Sequence, residues 1–195
     1  MNLISRIAVF ASGQGTNAEE LFKYFEHHDE IRVVLLLTNN PEAPVLKRAA
    51  RYGIESSWFS REQFLDAQVL LQWLAERDVS HIVLAGFMWL LPQHLINAFP
   101  IKIINIHPAL LPKHGGKGMY GMHVHKAVLE AGDTETGITI HLVDEVYDRG
   151  MIIYQDKCPV LPSDKPEDVA QRVHQLEYAA YPAVVEQWVR GQLPR

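Results

Sequence analysis

A single cysteine, Cys158, occurs in 195 residues, so no internal disulfide can form and a disulfide-stapled secreted scaffold is excluded. No apolar run approaches the roughly 18–20 residues that a membrane-spanning helix needs, and no membrane association is expected. The first residues run from Met1 directly into the strand-like Ile7-Ala8-Val9-Phe10, without the basic, apolar and small-residue zones of a secretory leader. A cytoplasmic setting is therefore expected. Charge of one sign is also scarce: 18 Lys and Arg stand against 23 Asp and Glu, for a formal net charge of −5. That balance argues against nucleic acid as a partner while leaving room for a local phosphate site. What the chain does have is 48% hydrophobic and 21% charged residues, the mixture of a soluble globular protein. Its length suits a single domain over residues 1–195.

Strand-like and helix-like segments alternate. Residues 6–11 and the almost continuously apolar 31–37 suit parallel strands covered on both faces. A helix is expected over 17–25, a short one over 44–51, and a short strand over 55–59. Ser60-Arg61-Glu62-Gln63 has the form of a capping box, which predicts one helix running on to about residue 77. Strands follow at 81–85 and 101–106, with Pro92 in the first turn of a short helix between them. After a helix near 124–130, residues 137–143 alternate in strand fashion. Residues 151–160 should pair with them antiparallel, because the connection is too short for a helical crossover. Ser163 is expected to cap a final helix that has Pro166 in its first turn and ends near 189. The pattern is α/β, a doubly wound, mostly parallel sheet with an antiparallel C-terminal edge. Cys158 lies in an expected strand beside Pro159 and reads as a small core residue rather than a nucleophile.

Ser12-Gly13-Gln14-Gly15-Thr16-Asn17-Ala18 lies between the first strand and first helix. Glycines allow a tight turn and close backbone approach, and the N–H groups and dipole of a helix N-terminus favour an anion. Gly13, Gly15 and Ala18 meet the loose dinucleotide pattern, but the second strand ends in Thr38-Asn39-Asn40-Pro41, without the acid that a dinucleotide ribose requires. The loop is read as a substrate phosphate site at Gly15, Thr16 and Asn17, the alternative being a tight turn with Thr16 or Asn17 as an ordinary cap.

Asn105-Ile106-His107-Pro108 closes the apolar run 101–104. Side chains two apart on a strand point the same way, so Asn105 and His107 should project together from the strand's C-terminal end, where open α/β sheets bind ligands. A nearby carboxylate would raise the imidazole pKa. The acid-rich loop 144–150 supplies several candidates, and His123, His125 and His141 are further neighbours. His123-x-His125 also has metal-ligand character, but no supporting acid or cysteine stands at diagnostic spacing, and no metal is expected.

Asn-Ile-His-Pro-Ala-Leu-Leu-Pro-Lys at 105–113, Leu84-Ala85-Gly86-Phe87-Met88, Asp148-x-Gly150, the Ser-Gly-x-Gly-Thr-Asn loop and Gln175-Leu176-Glu177 together resemble the phosphoribosylglycinamide formyltransferase branch of the formyl-folate transferases. The likeness covers nearly the whole chain. It implies a Rossmann-type formyltransferase fold and transfer of a formyl group from 10-formyltetrahydrofolate, as cosubstrate, to the amine of 5'-phosphoribosylglycinamide in purine synthesis. Relatives acting on methionyl-tRNA would add a C-terminal β-barrel, and those hydrolysing formyltetrahydrofolate a further regulatory domain; neither is expected here.

By that resemblance, protonated His107 and the Asn105 amide stabilise the tetrahedral oxyanion, and Asp148 holds and charges the imidazole. The phosphate of the glycinamide ribonucleotide falls to Gly15, Thr16 and Asn17, and its ribose hydroxyls to Glu177. The folate falls to Met88, Trp89, Leu90, Leu91, His141, Val143 and Asp144, with Arg61 near its tail. Trp89 stands where some members carry Arg. The stretch 113–123 holds four glycines where some members are shorter, which predicts a mobile flap. The partners implied are small molecules, with a homodimer left open.

Overall fold

The computed structural model describes residues 4–192. Among the described residues one sheet carries seven strands: β1 (Ser5–Phe10), β2 (Ile31–Thr38), β3 (Ser56–Trp58), β4 (His81–Leu84), β5 (Ile103–His107), β6 (Glu135–Leu142) and β7 (Ile152–Pro159). Their order is β3-β2-β1-β4-β5-β6-β7. The first five are parallel, and β6 and β7 each pair antiparallel with their neighbour, giving a doubly wound, mostly parallel α/β sheet with an antiparallel edge.

Alternation along each strand explains burial on both faces. Ile7, Val9, Val83, Ile104, Ile106, Ile138 and Ile140 face one core, which α1 (Thr16–Phe25) and α7 (Pro166–Val189) cover. Ala8, Phe10, Leu35, Leu37, Ile82, Leu84 and Ile103 face the other, beneath α4 (Ala67–Ala75) and α5 (Gln93–Ala98). Each such Val, Leu, Ile or Phe side chain contributes about 1.5–3 kcal/mol on burial. On β5 the second face continues past Ile103 as Asn105 and His107, so the apolar face turns polar at the strand's C-terminal end. Cys158 is half-buried against the first core, and burial pushes its thiol pKa up.

Two expected elements differ. The helix after the Ser60 capping box is broken into α3 (Arg61–Leu65) and α4, because Asp66 turns to φ −81°, ψ 110° and its carboxylate caps Gln68 N–H and Val69 N–H. The last helix is entered from Lys165 rather than Ser163, with Pro166 at its first position and the Lys165 N–H donating to Asp168 Oδ2 at 2.8 Å. The remaining helices are α2 (Val45–Arg51) and α6 (Met122–Glu130). No helix among the described residues is long and apolar enough to cross a membrane.

Candidate active site

The strand order reverses direction at β1 and β4, and a cleft of about 550 Å³ opens at their C-terminal ends, where doubly wound sheets bind ligands. Residues 13–17 line one end; residues 84–91 after β4 and 105–108 of β5 line the centre; residues 143–148 and the flap 116–121 close the other side.

At the first end, Gly15 caps α1 in the left-handed conformation, φ 69°, with no side-chain hydrogen bond to the helix start. A Cβ at Gly15 would also run into the Val45 side chain, so glycine is required twice over. The α1 N-terminus therefore keeps N–H groups free of a side-chain cap. Asn17 Nδ2 donates to Glu177 Oε2 at 2.9 Å. Burial pushes the Glu177 carboxyl up to about 7, against the Asn17 hydrogen bond. Nearby, burial drives His125 down to about 4, with His174 and His107 adding to the shift.

At the centre, antiparallel register sets Asn105 opposite His141 and His107 opposite Thr139, and directly opposed residues share a face. His107 Nε2 lies 2.8 Å from the His114 carbonyl oxygen, and Nδ1 lies 3.5 Å from Asp148 Oδ2. Asp148 also accepts from the Gly116 N–H at 2.8 Å and lies 3.6 Å from His141 Nε2. Burial holds the His107 imidazole below its ordinary value, outweighing the upward pull of Asp148 and the His114 carbonyl. Burial pulls Asp148 upward, yet His141, His107 and the Gly116 N–H leave it below the usual carboxylate range. The Asp148 backbone is left-handed, φ 55°, and Gly150 lets the loop close, since a Cβ there would collide with the Leu142 carbonyl.

The chain matches the formyl transferase family model over residues 5–185. It belongs to the formyl transferase family. It is 40% identical over 186 residues to the chloroplastic phosphoribosylglycinamide formyltransferase of Arabidopsis thaliana, covering 92% of this chain and 64% of that protein, so it spans less than two thirds of the plant relative. To the phosphoribosylglycinamide formyltransferase of Haemophilus influenzae it is 35% identical over 195 residues, covering 97% and 90%. The crystal structure of phosphoribosylglycinamide formyltransferase from Anaplasma phagocytophilum superposes with a TM-score of 0.87 at 35% identity, covering 96% and 88%.

In this member of the family the cleft gathers Asn105, His107 and Asp148 with Gly15, Thr16, Asn17, Glu177, Met88, Trp89, Leu90, Leu91, His141, Val143 and Asp144. Arg61 does not line it; its exposed guanidinium sits over the Trp89 ring, 4.8 Å from the centroid, at the rim. The expectation that a carboxylate raises the His107 pKa is corrected in its sum: Asp148 does pull upward, but burial wins. His123 is exposed while His125 is buried, so the two do not converge as a ligand pair. Sequence reasoning missed the backbone contacts, His114 carbonyl to His107 and Gly116 N–H to Asp148. It also missed Thr139, whose hydroxyl accepts from Leu111 N–H and Gln155 Nε2 and donates to the Ala109 carbonyl. The buried Thr inside an apolar strand was the one available signal for that network.

Proposed function

We propose that the chain, acting as a single formyltransferase domain over residues 1–195, transfers the formyl group of 10-formyltetrahydrofolate to the primary amine of 5'-phosphoribosylglycinamide, a step of purine synthesis. The observation that carries this reading is one continuous cleft with a free helix N-terminus and Glu177 at one end and Asn105, His107 and Asp148 at its centre. The nucleotide phosphate meets the N–H groups at Gly15, Thr16 and Asn17, and Glu177 accepts from the ribose hydroxyls. Met88 to Leu91, Val143 and Asp144 form the wall for the folate ring, and Arg61 on Trp89 supplies positive charge near its tail.

The amine attacks the formyl carbon and a tetrahedral oxyanion forms; the carbon–nitrogen bond to the folate then breaks, with one proton passing from the attacking nitrogen to the departing one. The Asn105 amide donates to the oxyanion. Because burial favours the neutral His107 ring, His107 takes the amine's proton as attack proceeds. It is then an imidazolium beside Asp148 at the moment when negative charge has built up. The His114 carbonyl can only accept, so the neutral His107 ring carries its proton on Nε2 in this structure; its use on substrate requires the flap at His114 to release Nε2 and the ring proton to pass to Nδ1, beside Asp148. No covalent enzyme intermediate or metal is needed for this chemistry. The deciding assay supplies both substrates and follows tetrahydrofolate release, which should depend on the ribonucleotide; release that ignores the acceptor would overturn the reading.

A further inference from the structure

We propose that His141 is a positioning residue that fixes the Asn105 amide in working orientation; this rests on the formyl-transfer reading of the same cleft. His141 is buried at the end of β6, and the β6–β7 register shifts between Ile140 and His141. Bulges next to active sites re-aim a side chain. The His141 ring is held at both nitrogens. Nδ1 lies 2.8 Å from the Leu142 carbonyl oxygen, which can only accept, so Nδ1 carries a proton. In the neutral ring Nε2 is then an acceptor, and Asn105 Nδ2 donates to it at 3.2 Å.

That bond decides which end of the Asn105 amide does what. One N–H is committed to His141, so the amide nitrogen faces the antiparallel neighbour and its second N–H remains for the oxyanion. Without the acceptor the amide can rotate by half a turn and present its oxygen, which repels an oxyanion instead of donating to it. The same Nε2 lies 3.6 Å from Asp148 Oδ1 while Oδ2 faces His107. His141 thus stands between the hydrogen-bond donor and the acid of the centre.

Four measurements test this. In 15N-histidine spectra of the wild-type protein, His141 should carry its proton on Nδ1; a proton on Nε2 alone would overturn the proposal whatever the enzymatic activity. His141→Phe should lower kcat about 10- to 100-fold, the scale of a misplaced catalytic group, with KM for each substrate within about twofold of wild type. His141→Gln, whose side-chain oxygen can accept from Asn105, should stay within about tenfold of wild type, the worth of one neutral hydrogen bond. In an Asn105→Ala background, His141→Phe should cost nothing further, because the group it positions is gone. An undiminished kcat in His141→Phe, or an equal loss with and without Asn105, would assign the ring a purely structural role. If His141→Phe does not fold, the tautomer and His141→Gln decide. A wild-type protein without acceptor-dependent transfer would defeat the formyl-transfer reading, while the tautomer would still speak to His141.

Discussion

Asp148 is held with φ 55°, a conformation that costs a residue with a Cβ about 1–2 kcal/mol, and from there its carboxylate reaches toward both His107 and His141. Its charge is the largest influence that opposes burial at His107. Asp148→Asn removes that pull, so the His107 pKa falls further. The acid limb of the kcat/KM profile should move to lower pH, and kcat should fall about 100-fold or more as the imidazolium loses its counter-charge; an unmoved acid limb would separate Asp148 from His107. Glu177 works in the opposite direction. Its folded value of about 7 lies above the ordinary 4.5, so the protonated carboxyl is favoured by the fold. The stability gained is complete below pH 4.5 and is lost as pH rises through about 7, a change of about 3 kcal/mol. Urea unfolding of Glu177→Gln should show a correspondingly smaller decline over that range than the wild type. Acceptor KM in the variant should rise, because an amide replaces the carboxylate proposed to accept from the ribose.

The elements were largely legible because each obeys one period. Residues 31–37 read as a two-faced buried strand, and their side chains do enter both cores, the alternation slipping once at Val34 and Leu35, where the register with β1 shifts. The Ser60 capping box was read from four residues and is formed at both of its hydrogen bonds. What escaped was settled by competition among neighbours: Asp66 interrupts a helix-favouring run by capping the next one, and Asp168 draws the α7 start to Lys165. At the site, the two-residue spacing of Asn105 and His107 shows in the sequence. The acid that meets them did not follow from spacing among Asp144, Glu145 and Asp148; the loop must first close at Gly150. The His114 and Gly116 contacts use backbone groups that every residue has, and so leave no residue-type signature. Gly15 is the clearest point where element and function coincide. Gly15→Ala would force a Cβ into left-handed backbone and against Val45, displacing the start of α1. Acceptor KM should rise at least about tenfold while the folate KM changes little, as steady-state kinetics with each substrate varied in turn would show; equal changes in both would mean a general loss of fold.

On the scale of the whole molecule, two apolar cores hold the sheet from both sides, and the cleft lies across its C-terminal edge rather than within either core. The two proposed parts of the site are therefore supported by different elements: the phosphate end by α1 and α7, the reacting centre by β5, β6 and the loop to β7. Among described residues lining the cleft, Lys117 on the flap is the one Lys or Arg, so the proposed recognition of the phosphate would fall chiefly to backbone N–H groups. Ligand that binds only the folded state stabilises it by about 2.7 kcal/mol at 100 times Kd, which for a chain of this size corresponds to a rise in Tm of roughly 5–10 °C. Glycinamide ribonucleotide at that excess should give this rise in the wild type and in His107→Ala alike, because the imidazole is proposed to act on the reacting amine and not on the phosphate. At the same absolute concentration a Gly15→Ala protein that binds about tenfold more weakly should show about half that rise, and less if the weakening is larger. Equal shifts in all three proteins would move the phosphate away from the glycine loop, and loss of the shift in His107→Ala alone would make that imidazole a binding group for the nucleotide.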